Sequence, residues 1–373
     1  MKLICNKQEL LHGLNIVSKA VSNKSTLPLL KGILIETIND KQIKLAASDM
    51  DLSIEQTVSV EVYEEGKTVA PAKLFIELIR KLPANDVTIE TDEEENIKIN
   101  SFNSSFTLIG MDAAEFPKIG EINKDKVINI DKKTFKKMVS KTTFAASIDE
   151  SKGVATGVLI EAGKNTINMV AIDGFRMSVA REKVKNVNEA DIIVVARILN
   201  EINKIMTERN DDEYDEIEII IDDNKAAIMM DETLTVMRLL DGNFVKYNDI
   251  LPKEHGTRIK IMKDDLKESI ERASLMAKEG KNNLIRMAII DGSVIITSRS
   301  EAGNVKEEIF VEKEGSNLEI GFNSKYVIDA LSVIEDDAVY IDFNSGVSPF
   351  VIRPTEGNEY DFLILPIRIS AAQ

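Results

Sequence analysis

The chain has 373 residues, 43% hydrophobic and 29% charged, a composition typical of a soluble globular protein, and its length predicts roughly two to four domains. No apolar run approaches the roughly 18 residues of a membrane span, no signal peptide is evident, and Cys5 alone excludes an intrachain disulfide and suits a reducing cytoplasm. The net charge of −16 argues against nucleic-acid binding unless positive and negative residues lie on different surfaces.

The first residues predict a short unit in which a strand is followed by a helix and then by three strands. Leu3–Cys5 is the first strand, and apolar residues at spacings of three and four from Leu10 to Val21 predict the helix. The three strands that follow are Gly32–Glu36, Gln42–Ala47 and Leu52–Val62.

A second unit with the same order of elements follows at once. Its first strand is Thr68–Ala70, and Pro71 stands where the first turn of a helix accepts proline. Pro83 ends that helix, whose apolar stripe is Leu74, Phe75, Leu78, Ile79 and Leu82. Its three strands are Val87–Glu90, Ile97–Ser101 and Phe106–Gly110.

This pair of units recurs twice downstream. The second pair has predicted strands at Val127–Ile130, Gly157–Glu161, Thr166–Ala171, Met177–Glu182, Ile192–Val195, Ile217–Ile221, Ala226–Met230 and Leu234–Leu239. The third has them at Arg258–Ile261, Ile285–Ile290, Val294–Ser298, Glu307–Val311, Leu318–Gly321, Val339–Phe343, Phe350–Arg353 and Phe362–Ile367.

Residues at matching positions give the length of the repeat. Equivalent helices open 125 and 131 residues apart, at Leu10, Phe135 and Leu266. The second helices open 124 and 128 residues apart, at Lys73, Arg197 and Lys325. A period of this size suits an ordinary domain, so we predict three α+β domains at 1–123, 124–252 and 253–373.

The charges are distributed unevenly between helices and turns. The six predicted helices hold 20 Lys and Arg against 11 Asp and Glu, whereas the whole chain holds 47 against 63. The helix with Lys132, Lys133, Lys136, Lys137 and Lys141 is the plainest case. Acidic clusters fall in turns, at 92–95, 211–216 and 336–337. One basic helix is usually a solvated face, but their repetition predicts a positive surface suited to phosphate contacts without sequence readout.

No catalytic motif stands out in the chain. Phosphate-binding loops, dinucleotide fingerprints and nucleophile elbows are absent from the sequence, and neither His12 nor His255 has a partner in its own motif. The pairs Asp49/Asp51 and Asp222/Asp223 could bind a divalent metal, although acidic pairs between strands are more often turn residues. We therefore predict no catalytic residue, no metal and no cofactor.

Several segments resemble the bacterial DNA polymerase III β subunits, the sliding clamps. The resemblance covers the whole chain, and the segments that carry it are Ser25–Leu30, Val69–Lys73, Asp112–Pro117, Ala171–Arg176, Leu240–Phe244, Gly321–Asn323 and Leu365–Arg368.

This resemblance implies three tandem clamp domains, each built from two β-α-β-β-β units, with antiparallel sheets outside and helices lining the hole of a ring. Two copies would close head to tail around duplex DNA and hold a replicative polymerase by topology, without catalysis. The implied partners are double-stranded DNA, a second copy, the replicative polymerase, the clamp loader, repair polymerases and mismatch-repair factors. The implied location is the cytoplasm, at the nucleoid.

The resemblance also implies three sets of site residues. The partner-peptide pocket would be Ala155, Ile172, Gly174, Phe175, Arg176, Met177, Val245, Ile250, Tyr326, Val347, Ile364, Leu365, Pro366 and Ile367. The DNA contacts would be Lys24, Lys73, Lys152 and Arg197, to which the charge pattern adds Lys132, Lys136 and Lys137. The dimer contacts would be Phe106 and Leu108 against Leu275 and Met276.

The chain departs from the family pattern at the pocket. Val245 stands where many relatives have proline, Asp249 where a basic residue can occur, and Phe175 where His or Tyr is found, which leaves the peptide preference open. The loop 147–153 has no aromatic residue, and Ser370–Gln373 extends past the usual end as a natural tail or an added remnant.

Two other classes of function remain open on the residues alone. One is a metal-dependent enzyme using Asp49/Asp51 or Asp222/Asp223, and the other is a scaffold that assembles proteins without DNA. The missing convergent His, Cys or Gly-rich site favours a non-enzymatic ring.

Overall fold

A computed structural model describes residues 1–22, 24–119, 122–124, 126–184, 188–208, 216–279 and 283–369. The predicted acidic turn at 211–215 and the tail at 370–373 lie outside these residues. The chain divides into two compact units, Met1–Lys132 with Glu201–Leu239, and Lys133–Asn200 with Leu240–Gln373. Within the described ranges, no helix is both long and apolar enough to cross a membrane.

The elements follow the predicted order closely. The first third contains β1 (Lys2–Asn6), α1 (Lys7–Val17), β2 (Gly32–Asn39), β3 (Gln42–Ser48), β4 (Leu52–Ser59), β5 (Glu61–Glu64), β6 (Lys67–Pro71), α2 (Ala72–Lys81), β7 (Asp86–Thr91), β8 (Asn96–Ser101) and β9 (Ser104–Ile109). The middle third contains β10 (Lys126–Asp131), α3 (Lys132–Thr142), β11 (Gly157–Ala162), β12 (Thr166–Ile172), β13 (Arg176–Lys183), β14 (Ala190–Val195), α4 (Ala196–Glu208), β15 (Glu216–Asp222), β16 (Lys225–Met230) and β17 (Thr233–Arg238). The last third contains β18 (Thr257–Met262), α5 (Lys263–Lys278), β19 (Leu284–Ile290), β20 (Ser293–Ser300), β21 (Gly303–Phe310), β22 (Glu312–Gly315), β23 (Leu318–Asn323), α6 (Ser324–Leu331), β24 (Ala338–Phe343), β25 (Phe350–Pro354) and β26 (Tyr360–Ile364).

The strands of the first unit form two antiparallel sheets. The five-stranded sheet has the order β5-β1-β7-β8-β9, and the eight-stranded sheet has the order β10-β15-β16-β17-β4-β3-β2-β6. The larger sheet is continuous because β17 pairs with β4, with Thr235 opposite Ile54. Helix α1 is capped by Asn6, whose side chain accepts the amides of Gln8 and Glu9, and it packs on β3 and β4.

The second unit repeats this plan with other strands. Its nine-stranded sheet has the order β14-β11-β12-β13-β26-β25-β24-β18-β22, and its four-stranded sheet has the order β21-β20-β19-β23. The nine-stranded sheet is joined by β13 and β26, with Ser178 opposite Phe362. A core of aliphatic residues and the rings of Phe322, Phe343 and Phe350 lies between these sheets and the helices α5 and α6.

Three predicted boundaries are wrong, and one strand was missed. The run Leu52–Val62 forms two strands in different sheets, because β4 pairs with β3 whereas Val62 in β5 pairs with Leu3 of β1. The last strand ends at Ile364, before Pro366, and the charged strand β22 was missed because it lacks an apolar alternation. Helix α1 ends at Val17, four residues before the predicted Val21.

The predicted apolar stripe of α2 is also wrong at one position. Phe75 and Ile79 are fully buried, whereas Leu74 is 53% exposed. Adjacent helical positions lie about 100° apart, so a helix packed on one side turns Leu74 away when Phe75 faces the core.

Candidate functional site

A tight turn joins β12 to β13 at residues 173–176, beside the junction of β13 with β26. The Asp173 Oδ1 atom accepts the amides of Phe175 at 2.8 Å and Arg176 at 3.0 Å. Gly174 has φ +93°, a left-handed conformation that glycine adopts without a Cβ penalty. The carbonyl of Phe175 accepts the amide of Leu365 at 2.9 Å. The turn therefore brings together the two segments predicted to form the pocket, 172–177 and 364–367.

Arg176 is held firmly beneath this turn. Its Nε lies 3.1 Å from Asp173 Oδ2 and its Nη1 lies 2.6 Å from Asp329 Oδ2. The guanidinium also stands 4.6 Å from the ring centroid of Tyr326 and 5.4 Å from that of Phe144. With two carboxylates and two rings around it, Arg176 orders the site and its charge is already compensated.

Phe175 and Tyr326 are the two aromatic residues of the predicted pocket. Their ring centroids are 6.3 Å apart with an interplanar angle of 23°, and Phe175 is 53% exposed. The Lys152 ammonium lies 5.7 Å from the Phe175 centroid and donates to the carbonyl of Asp173 at 3.3 Å. Lys152, which the resemblance assigns to DNA, is thus positioned against the pocket.

The remaining predicted pocket residues separate into a rim and a floor. Met177 and Ile364 are each 1% exposed, and Ile172 packs on the cluster around Leu159 and Val170. Ile367 bonds through its amide to Gly321 and so fastens the C-terminal segment to β23. Ala155 and Pro366 are partly buried. The exposed apolar residues are Phe175, Val245, Ile250, Val347 and Leu365.

Sequence reasoning missed Asp329 and Phe144, which hold Arg176 in place. Asp329 lies 153 positions along the chain from Arg176, and no local pattern relates the two. Buried Tyr247 was also missed: its hydroxyl bonds to Glu161 and Asn168, and burial together with Glu161 raises its pKa to about 12.

The predicted DNA residues differ in their exposure to solvent and in their neighbours. Lys24, Lys73 and Arg197 are exposed, and Lys132 and Lys136 are partly exposed. Lys137 lies 3.7 Å from Glu182 and 3.9 Å from Glu335, which compensate its charge. Lys141, counted with this basic face in the sequence, is buried with its ammonium 4.8 Å from the Tyr360 ring. Burial, helped by the neighbouring Lys137, lowers the pKa of Lys141.

The predicted dimer residues lie on one sheet edge, β9, and on helix α5. Phe106 is 42% exposed on the edge strand β9, while Leu108 on the same strand is buried. Leu275 is 60% exposed on α5, and the Met276 sulfur lies 4.0 Å from Ser300 Oγ near the start of β21. Ile109 and Phe310, at the ends of β9 and β21, are also strongly exposed. Ile109 could have been found, because it breaks the alternation of its strand.

The acidic pairs considered as metal ligands serve as turn residues. Asp49 Oδ1 accepts the amides of Asp51 and Leu52, and Asp222 Oδ2 accepts the amide of Asn123. In the part of the chain that the structure describes, His, Cys, Asp and Glu residues form no group of three that could hold a metal ion.

Comparison with known proteins gives a consistent picture. The DNA polymerase III beta subunit models match in order, with the N-terminal domain at 1–120, the central domain at 129–246 and the C-terminal domain at 248–368. A beta sliding clamp from Staphylococcus epidermidis is 33% identical over 99% of each chain, as is one from Staphylococcus aureus.

Two solved structures extend this likeness to the fold. The DNA polymerase sliding clamp from Bacillus subtilis is 31% identical with a TM-score of 0.94, covering 99% of this chain and 100% of that one. The DNA polymerase III beta subunit from Thermotoga maritima is 28% identical with a TM-score of 0.92, over the same shares. The predicted fold of three β-clamp domains with antiparallel sheets is confirmed, and the chain belongs to the family of bacterial DNA polymerase III β subunits, the β sliding clamps.

Proposed function

We propose that two copies of this chain close into a ring around duplex DNA and tether the replicative polymerase for processive synthesis. The ring acts without a catalytic site of its own, as expected for a sliding clamp rather than a polymerase. The observation that carries this proposal is the way strands join within the chain.

Each internal junction uses the same two kinds of strand. Each half of a repeat ends with three consecutive strands, and the last of these three forms the junction. Strand β17 pairs with β4, and β26 pairs with β13. The two strands left over are β9 and β21, and each lies at the edge of its sheet. Exposed edge strands with apolar side chains normally require a partner. A second copy supplies one, with β9 of each chain meeting β21 of the other.

We further propose that the helices line the hole of this ring and that lysine and arginine side chains on and near them contact DNA phosphates. The ring holds DNA by topology, so weak contacts suffice and leave it free to slide. The proposed contacts are Lys24, Lys73, Lys132, Lys136, Lys137, Lys152 and Arg197. Lys137 lies beside two carboxylates and Lys152 donates to the carbonyl of Asp173, so both contribute less than the exposed Lys24 and Lys73.

The pocket around Arg176 is proposed to receive short apolar peptides from the polymerase, the clamp loader, repair polymerases and mismatch-repair factors. An exposed aromatic ring above a buried floor is the usual arrangement of an anchor site. Phe175, Val245, Val347 and Leu365 are all exposed and supply the apolar surface of the proposed pocket.

The domain limits 1–123, 124–252 and 253–373 are part of the same proposal, supported by family models that match 1–120, 129–246 and 248–368. Sliding clamps act on DNA in the bacterial cytoplasm, and we propose that this chain is associated with the nucleoid.

Loading on circular DNA tests the proposal. The chain is loaded on a nicked plasmid by a bacterial clamp loader with ATP, and the protein that elutes with DNA from a sizing column is measured. We expect retention on the circle and at least tenfold loss after a single cut linearises it. Retention that survives linearisation would instead show binding without encirclement.

A further inference from the structure

We infer that the ring closes with Phe106 directly opposite Val305 of a second copy, and that the seam between β9 and β21 contains no ion pair between these two strands. This inference rests on the proposed ring and adds its register and chemistry. It follows from comparing the strand ladders of the three repeats.

Equivalent residues in the last strand of each repeat are found by following the residues that pair across neighbouring strands. Each such ladder starts four residues before the first helix of its repeat. The ladder from Ile128 runs through Ile219 and Ile228 to Thr235. The ladder from Ile259 runs through Ile341 and Ile352 to Phe362. The ladder from Leu3 runs through Ile89 and Ile99 to Phe106. Thr235, Phe362 and Phe106 are therefore equivalent.

Equivalent residues in β4, β13 and β21 are found in the same way. Here each ladder starts in the strand that precedes the second helix of its repeat. The ladder from Val69 runs through Leu34 and Ala46 to Glu55. The ladder from Ile193 runs through Leu159 and Val170 to Val179. The ladder from Gly321 runs through Arg286 and Thr297 to Lys306. Glu55, Val179 and Lys306 are therefore equivalent.

The two internal junctions have the same register on this alignment. The residue before Glu55 is Ile54, which faces Thr235, and the residue before Val179 is Ser178, which faces Phe362. The residue before Lys306 is Val305. The same rule places Val305 opposite Phe106, Lys306 opposite Ser105 and Gly303 opposite Leu108.

In this register, the residues of β9 that face the second copy are uncharged. Ser104, Ser105, Thr107 and Leu108 carry no charge, so Lys306 and Glu307 of the other copy meet no opposite charge on this strand. Glu307 is already bonded to Arg272 through both carboxylate oxygens, at 3.1 and 2.8 Å.

The junction of β13 with β26 is different, because ion pairs support it. Arg181 lies 2.7 Å from Asp361, and Arg176 lies 2.6 Å from Asp329. At the seam the positions equivalent to Arg181 and Asp361 are Glu308 and Ser105. Those equivalent to Arg176 and Asp329 are Gly303 and Glu77. Neither pair can form there.

Apolar side chains are left to hold the seam. Met276 lies beside Gly303, where its sulfur is 3.9 Å from the position a Cβ would occupy, and Leu275 is exposed on the same helix. Pairing Gly303 with Leu108 brings Leu108 and Phe106 toward these two side chains. Because apolar burial is not screened by salt, high ionic strength leaves such a seam intact.

Cysteine cross-linking tests the register. In a Cys5→Ala background, Ser105→Cys with Lys306→Cys places two thiols opposite each other on the outer face of the seam, within disulfide reach. The matched control, Ser105→Cys with Glu308→Cys, moves one thiol two residues along the same face. We expect oxidation to link the first pair into dimers and not the second.

The outcomes of this experiment are distinct. If only the second pair is linked, the proposed register is wrong but the ring is not contradicted. The same holds if neither pair is linked in a protein that has the mass of a dimer. A protein that stays monomeric would contradict the proposed ring itself.

Ionic strength tests the missing ion pairs. We expect the dimer dissociation constant, measured by sedimentation, to rise less than about twofold between 50 mM and 1 M NaCl. Ser105→Asp, placed opposite Lys306, should tighten the dimer up to about fivefold at 50 mM NaCl only, and Ser105→Lys should weaken it. A wild-type dimer weakened tenfold by salt would overturn the inference.

Discussion

Arg176 Nη1 lies 2.6 Å from Asp329 Oδ2, and this ion pair connects the turn that carries Phe175 to helix α6. Tyr326, on the same helix, covers the guanidinium and stacks with Phe175. The position of the exposed Phe175 ring is thus set by residues about 150 positions away in sequence. Two predictions follow for the proposed pocket.

Asp329→Asn should weaken both folding and peptide binding. The substitution leaves the buried Arg176 with one carboxylate in place of two, which costs about 1–3 kcal/mol in the free energy of unfolding. Urea denaturation and titration with a fluorescent apolar peptide measure the two effects. Lys325→Ala is the matched control, because Lys325 also contacts Asp329 but is mostly exposed. It should change stability by less than about 0.5 kcal/mol. Equal effects of the two substitutions would contradict this role for Asp329.

Phe175→Ala should weaken binding of apolar peptides about tenfold, since loss of an exposed anchor ring at an interface costs about 1–2 kcal/mol. Ile148→Ala removes a fully exposed apolar side chain from the loop 147–153 and should leave peptide affinity unchanged. Fluorescence anisotropy with the same peptide measures both. If both variants bind like the parent chain, the pocket lies elsewhere.

Tyr247 should make stability fall at alkaline pH. Burial raises its pKa to about 12, so the folded chain keeps a proton that the unfolded chain releases near its ordinary value of about 10. The stabilisation is complete below pH 10 and is lost as pH rises toward 12, by about 1–3 kcal/mol. Tyr247→Phe should flatten the pH dependence of the unfolding free energy over that range. A slope unchanged by the substitution would rule Tyr247 out as its source.

Two neighbouring lysines on α3 should differ in DNA binding. Lys137 is engaged by Glu182 and Glu335, whereas Lys136 is not within ion-pair distance of a described carboxylate. Lys136→Ala should therefore lower the affinity for duplex DNA and reduce the salt slope by up to about one unit, with a smaller change for Lys137→Ala. Anisotropy titrations at several salt concentrations measure both slopes. A larger effect at Lys137 would contradict the assignment.

Much of the fold was predictable because it depends on local pattern. Apolar spacing at Leu10, Phe135 and Leu266 located equivalent helices, and the tandem repeat followed from three such matches. Strand pairing was not predictable, since no local sequence pattern in β13 identifies β26 as its pairing partner. The division of Leu52–Val62 between two sheets depends in the same way on a distant partner.

Part of the local structure at the candidate site was predictable, whereas the contacts of its residues were less so. The turn at 173–176 carries its own signature, an aspartate followed by glycine, and the structure forms it as that signature indicates. Lys152 and Lys141 show the limit of charge counting, because their neighbours, Phe175 and Tyr360, come from distant strands and turns. A lysine's sequence position gives its charge but not whether that charge faces solvent.

The ring is the central claim, and the mass of the native chain tests it most directly. Sedimentation equilibrium at micromolar concentration should give twice the chain mass of 41.5 kDa, and Phe106→Arg should return the protein to that single mass by placing a charge in the apolar seam. A wild-type chain that sediments at 41.5 kDa across the micromolar range would contradict the account.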